Sequence, residues 1–138
     1  MRRCLIVANQ TLMSPQLREE VLRRRDADEY EFHVVVPASH AHGTALWTEG
    51  KARAHAREAL AGALTHFRSD GIEATGEVGD SDPVLAVNDV VTRQNVDEII
   101  VSTLPPGVSR WLKRDLPRRL ERRFRLPVMH VTAVEARV

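Results

Sequence analysis

Short apolar runs alternate with longer amphipathic stretches along this chain. Cys4 to Ala8 (CLIVA) is apolar at every position, which predicts a strand buried on both faces rather than one with a wet face. Asn9 to Thr11 follow as a turn. Ser14-Pro15 then predicts a helix start, with serine as N-cap and proline at the first helical position. Leu17, Val21 and Leu22 share one face of that helix. Glu31 to Val36 (EFHVVV) reads as a second strand, ended by Pro37. A polar loop from Ala38 to Thr48 leads into a helix from Glu49 to about Ser69. Its stripe is Ala52, Ala56, Ala59, Leu60, Ala63, Leu64 and Phe67, and Asp70-Gly71 closes it.

Ile72 to Val78 alternates more weakly, as a strand near a sheet edge does. Asp82-Pro83 predicts the next helix start. Val84, Val87, Val90 and Val91 carry its apolar face to about Gln94. A fourth strand is centred on Ile99, Ile100 and Val101. Beyond it, Ser102 to Ser109 (STLPPGVS) form a tight loop before the segment RWLKRDLPRRLERRFR. Pro117 divides that segment, with Asp115 expected to cap its second helix. Pro127 to Thr132 makes a fifth strand. The order is βαβαβαβαβ, so the expected fold is one α/β domain spanning residues 1–138. It is a three-layer, doubly wound, five-stranded parallel sheet in strand order 3-2-1-4-5. The topological switch falls between the first and fourth strands, where the loops at 9–13 and 102–109 frame a crevice.

Composition narrows the function. The chain has 138 residues, 43% hydrophobic and 28% charged, with a net charge of +1, which argues for no global attraction to nucleic acid or membrane. A single cysteine, Cys4, rules out an internal disulfide framework and fits a reducing compartment. The apolar run at the start is about five residues, short of the roughly 7–15 of a secretory signal. The expected location is the cytoplasm. Between Arg110 and Arg125, eight cations face two acids, Asp115 and Glu121. Trp111, Leu112, Leu116, Leu120 and Phe124 make this segment amphipathic, so its charges read first as a solvated face and nucleic acid as an unfavoured partner.

Candidate chemistry is sparse. His40 and His42 could hold a metal with Glu49, but two histidines in a loop without cysteines are a weak metal signature, and no metal is expected. His33 and His130 lie inside strands and read as packed or edge histidines. The acid and lysine positions of a phosphorelay receiver are missing, as is any G-x-S-x-G nucleophile elbow. What stands out is the crevice. Ser102, Thr103, Gly107 and Ser109 with Arg110 could form a small anion or nucleotide site, using hydroxyls and helix N-terminal amides. Asn9 offers an amide that both donates and accepts, which suits an adenine or ribose edge.

Several anchors recur in order: CLIVAN at 4–9, GDSDPVLAVNDVV at 79–91, DEIIVS at 97–102, GVSRWL at 107–112 and PVMHV at 127–131. By these the chain resembles the universal stress protein family over nearly its whole length. The resemblance implies the adenine nucleotide alpha hydrolase-like fold and a regulatory, stress-response role without catalysis. It also implies a homodimer, for which Val128 to Val134 would be an apolar edge strand needing cover. In the family's nucleotide-binding branch, ATP lies in the switch-point crevice. An aspartate after the first strand contacts adenosine, and the phosphates are wrapped by Gly, two residues, Gly, nine residues, then Gly-Ser/Thr. Here the aspartate position is Asn9, the first glycine is Ser102 and the second is Pro105, which has no N–H to donate. The Gly-Ser pair falls on Arg114-Asp115, and only the flanking Gly107 remains. Standard ATP binding is therefore in doubt. The alternative is a sensor that takes an adenine nucleotide, ATP or AMP, through Asn9, the strand end at Val36, and Ser102 to Ser109.

Overall fold

The computed structural model describes residues 1–38 and 48–134; the histidine pair His40 and His42 lies outside them. The strands are β1 (Arg2–Val7), β2 (Tyr30–Pro37), β3 (Ala74–Gly79), β4 (Glu98–Thr103) and β5 (Val128–Thr132). They form one parallel sheet in the order β3-β2-β1-β4-β5. The helices are α1 (Pro15–Ala27), α2 (Glu49–Ser69), α3 (Pro83–Arg93), α4 (Arg110–Lys113) and α5 (Leu116–Phe124). The fold class, order and edge position of β3 agree with the reading from sequence. Strand limits shift by a few residues: Ile72 is buried but precedes β3, while β4 gains Glu98 at its start and Thr103 at its end.

Why the layers form is visible in the two cores. On one face, Ile6, Val34, Val36 and Ile100 pack with Leu17 and Val21 of α1 and with Ala56, Leu60 and Ala63 of α2. On the other, Leu5, Val7, Val35 and Val101 pack with Val84, Val87 and Val90 of α3 and with Leu116 and Leu120 of α5. Strand alternation sends neighbouring residues to opposite cores, which is why the CLIVA run must be apolar throughout. The expected caps hold: Ser14 accepts from Leu17 N at 3.1 Å and Asp82 Oδ1 from Val84 N at 2.9 Å. Gly79 lets α3 settle on the sheet, since a Cβ there would lie 2.8 Å from Ala86 Cβ and 2.9 Å from Val35 Cγ2.

One expectation fails. Asp115 sits at the N-cap position of α5 but makes no side-chain cap bond, because its backbone is left-handed (φ 55). A capping side chain needs an extended backbone to reach back to the first-turn amides. Asp115 instead bends the chain sharply between α4 and α5.

At the N-terminal end of the sheet, Glu98 is 8% exposed and holds two arginines. Arg24 Nε donates to its Oε1 at 2.6 Å and Arg2 Nη2 to its Oε2 at 3.3 Å, while Arg24 also pairs with Glu20. Burial alone would raise the Glu98 carboxyl, but hydrogen bonds led by Arg24 outweigh it and hold the group below its ordinary 4.5. A depressed folded value stabilises above the unfolded one, so this contribution is complete above about pH 4.5 and fades as pH falls through the folded value. Glu98→Ala is expected to cost about 3 kcal/mol near neutrality, as breaking a buried pair does. Urea titrations should also show a shallower loss of stability on acidification than in the parent. An unchanged midpoint at neutral pH would show that the network contributes nothing net.

Candidate functional site

The switch point between β1 and β4 opens into a cleft of about 840 Å³ at the C-terminal ends of the strands, within the usual 300–1,000 Å³ range of small-ligand sites. Asn9, Ser102, Thr103, Ser109 and Arg110 all line it. Two predicted members do not. Val36 is fully buried and its side chain belongs to the α1/α2 core. Gly107 is absent from the cleft wall; it sits at φ +91 with open space where a side chain would be, so it serves to let the loop turn.

Of the hydroxyls in the cleft wall, those of Thr11, Ser102, Thr103 and Ser109 are engaged within the protein. Ser102 Oγ and Thr11 Oγ1 are 2.6 Å apart, and both residues are buried. This bond ties the loop after β1 to the end of β4 across the crevice. Thr103 Oγ1 donates to Leu104 O at 2.9 Å and lies 2.8 Å from His130 Nε2 of β5. Burial lowers the His130 imidazole from its ordinary value, which favours the neutral ring in this contact. Ser109 Oγ accepts from Leu112 N at 3.2 Å as the N-cap of α4. Asn9 Nδ2 donates to Pro37 O at 2.6 Å and so clamps the β1 loop to the end of β2. The loop itself closes around Pro105, whose carbonyl accepts from both Val108 N and Ser109 N at 3.1 Å. That leaves a stiff turn in place of a glycine cradle.

The cations were placed less well by sequence reasoning. Arg110, Lys113, Arg114 and Arg119 all line the cleft, and Trp111 lies among them. Among the described residues the wall contains a single carboxylate, Asp82, whose Oδ1 is held by the first turn of α3. Four like charges around one concavity focus a positive potential into it. The sequence reading placed Arg110 at the crevice, but amphipathic spacing left Lys113, Arg114 and Arg119 on a solvated outer face. The kink at Asp115 turns part of that face inward over the strand ends, and no local periodicity reports such a kink.

The Thr11–Ser102 bond is testable. Ser102→Ala leaves a buried hydroxyl without this partner and is expected to cost about 1–3 kcal/mol. Combined with Thr11→Val, the loss should be smaller than the sum of the two single losses, by roughly 0.5 kcal/mol or more. Strictly additive losses in urea titrations would mean that the two hydroxyls are not coupled.

No family model and no curated protein matches the chain. Solved structures do match in fold. One is a protein from the universal stress protein family of Burkholderia pseudomallei, with a TM-score of 0.65 and 15% identity over 93% of each chain. Another is a universal stress protein from Archaeoglobus fulgidus, with a TM-score of 0.63 and 16% identity over 95% of this chain and 93% of that one. The chain therefore has the fold of the universal stress proteins: a five-stranded parallel sheet in the order 3-2-1-4-5 flanked by helices.

Proposed function

We propose that this chain is a single-domain, universal stress protein-like regulatory protein of the cytoplasm, non-enzymatic, whose crevice has departed from the ATP-binding pattern. The observation that carries the reading is the engagement of the crevice hydroxyls. Ser102 is bonded to Thr11, Thr103 to Leu104 and His130, and Ser109 to its own helix. A phosphate cradle needs free donors and glycine-like backbone access. Here the loop offers a proline where an amide would be needed, and α4 is a single short turn. Among the described residues the cleft wall supplies no carboxylate pair for a metal, and the one imidazole beside a cleft hydroxyl, His130, meets a Thr103 Oγ1 that already donates to Leu104 O. Among the described residues no three metal-ligating side chains cluster, and no helix is long and apolar enough to cross a membrane.

A second reading, an adenine-nucleotide sensor, is favoured by the four cations and Trp111 around the cleft. Side-chain charge would then replace backbone amides as the phosphate contact. Calorimetry with ATP, AMP and cyclic nucleotides separates the two. The first reading expects no heat and no thermal shift at millimolar ligand, and saturable binding that disappears in Arg110→Gln/Arg114→Gln would establish the second.

We further propose a homodimer through β5. Among the described residues the strand pairs only with β4; Met129 within it is 40% exposed, and Val134, two residues past its end, is 62% exposed. An uncovered edge of this kind is an open template for a second strand, and a two-fold axis would satisfy both copies at once. Light scattering is expected to give twice the chain mass at micromolar concentration. A monomer mass there would remove the proposal.

A further inference from the structure

We propose that the segment from Arg110 to Arg125 is a docking strip for single-stranded nucleic acid. One base would enter the cleft beside Trp111, and the phosphates that follow would lie along α5.

Four observations converge on this. First, ion pairing in the fold is uneven. Arg2, Arg3, Arg18, Arg24 and Arg93 each hold a carboxylate. None of the eight cations between Arg110 and Arg125 has an ion-pair partner among the described residues. Second, the cations of the cleft run on along α5. Arg119 lines the cleft, and Arg122 and Arg123 stand three and four residues further along α5, the positions that neighbour it on a helix surface. Both are exposed, with the Arg123 guanidinium over the Phe124 ring.

Third, this charge is held against its own repulsion. Arg118–Arg122 and Arg119–Arg123 are like-charged pairs at i,i+4. Burial of Leu116 and Leu120 under them keeps the array assembled. Fourth, Trp111 is half-buried at the head of the strip, in the cleft that Arg110 and Arg114 also line. Cations tracking a backbone with an aromatic face at one end are the combination that holds single strands. Stacking needs an unpaired base, and the bases of a duplex offer no free face to a side chain in a cleft. The apolar side of α5 is already in the core, so the helix has none left to insert into a lipid surface.

This goes beyond the mononucleotide reading and does not depend on it. A cleft that ignores AMP and ATP leaves the strip in place, and Arg122 and Arg123 lie outside the cleft wall.

The test uses the full chain with Trp47→Phe, which leaves Trp111 as the sole tryptophan. Titration with a short oligothymidylate at low salt should quench Trp111 fluorescence. In Arg122→Gln/Arg123→Gln, binding should weaken roughly tenfold and the log–log salt slope should fall by about 1.4, two single-strand phosphate contacts at about 0.7 each. The control is Arg53→Gln/Arg57→Gln, which removes the same charge from α2 on the opposite face and should bind as the parent does. Thermal melts verify that both variants fold. Equal losses in the two variants, or binding without quenching, would overturn the proposal. So would inorganic polyphosphate or anionic vesicles binding as tightly as the oligonucleotide.

Discussion

The structure depends on the burial of β1 on both faces. Cys4, Leu5, Ile6, Val7 and Ala8 are all fully buried, and no other strand serves both cores from so central a position. Because β1 hydrogen-bonds to β2 on one side and β4 on the other, the chain leaves it in opposite directions. The two loops that follow β1 and β4 therefore diverge and leave a cleft between them. The site's location is a product of packing, decided before any ligand-binding residue is considered. Cys4 belongs to that packing: burial pushes its thiol well above the ordinary range, leaving it inert as a nucleophile.

The site and the strip that leaves it contrast in how their polar groups are used. Around the cleft floor, hydroxyls and the Asn9 amide close on one another or on the backbone, which stiffens the two loops against each other. Along α5 the arginines hold no ion pair among the described residues. Two like-charged i,i+4 pairs cost a few tenths of a kcal/mol each, whereas Leu116 and Leu120, both essentially unexposed, contribute about 1.5–3 kcal/mol each. The core wins by a wide margin, and the helix can carry a concentrated charge that its own stability does not need. Left-handed Asp115 and Arg125 bound the helix at its two ends.

Much of the fold was legible because its signals are local. Apolar runs marked the strands, Ser14-Pro15 and Asp82-Pro83 marked helix starts, and Asp70-Gly71 marked a stop. What escaped was whatever joins distant residues. Thr11 and Ser102 meet across 91 positions, and Glu98, a charged residue leading an apolar strand, is buried only because Arg24 and Arg2 reach it. Val36 shows the opposite error: it lies at the strand end that faces the crevice, yet alternation turns its side chain into the core. The inward turn of the cations rests on Asp115: Pro117 announced a break there, but not that a non-glycine residue would make it in a left-handed conformation.

The pairing of β1 with β4 also bears on how the chain comes to be folded as it is made. Cys4 must wait for Glu98, and Val7 for Val101, before the central strand has both neighbours. A chain emerging from the ribosome can join β1 to β2 once residue 37 is out. The other edge of β1 then stays bare for some sixty residues of synthesis, with no charge between Cys4 and Ala8 to discourage a stray strand. The residues that make the finished protein's best-protected strand are thus its most vulnerable ones during translation.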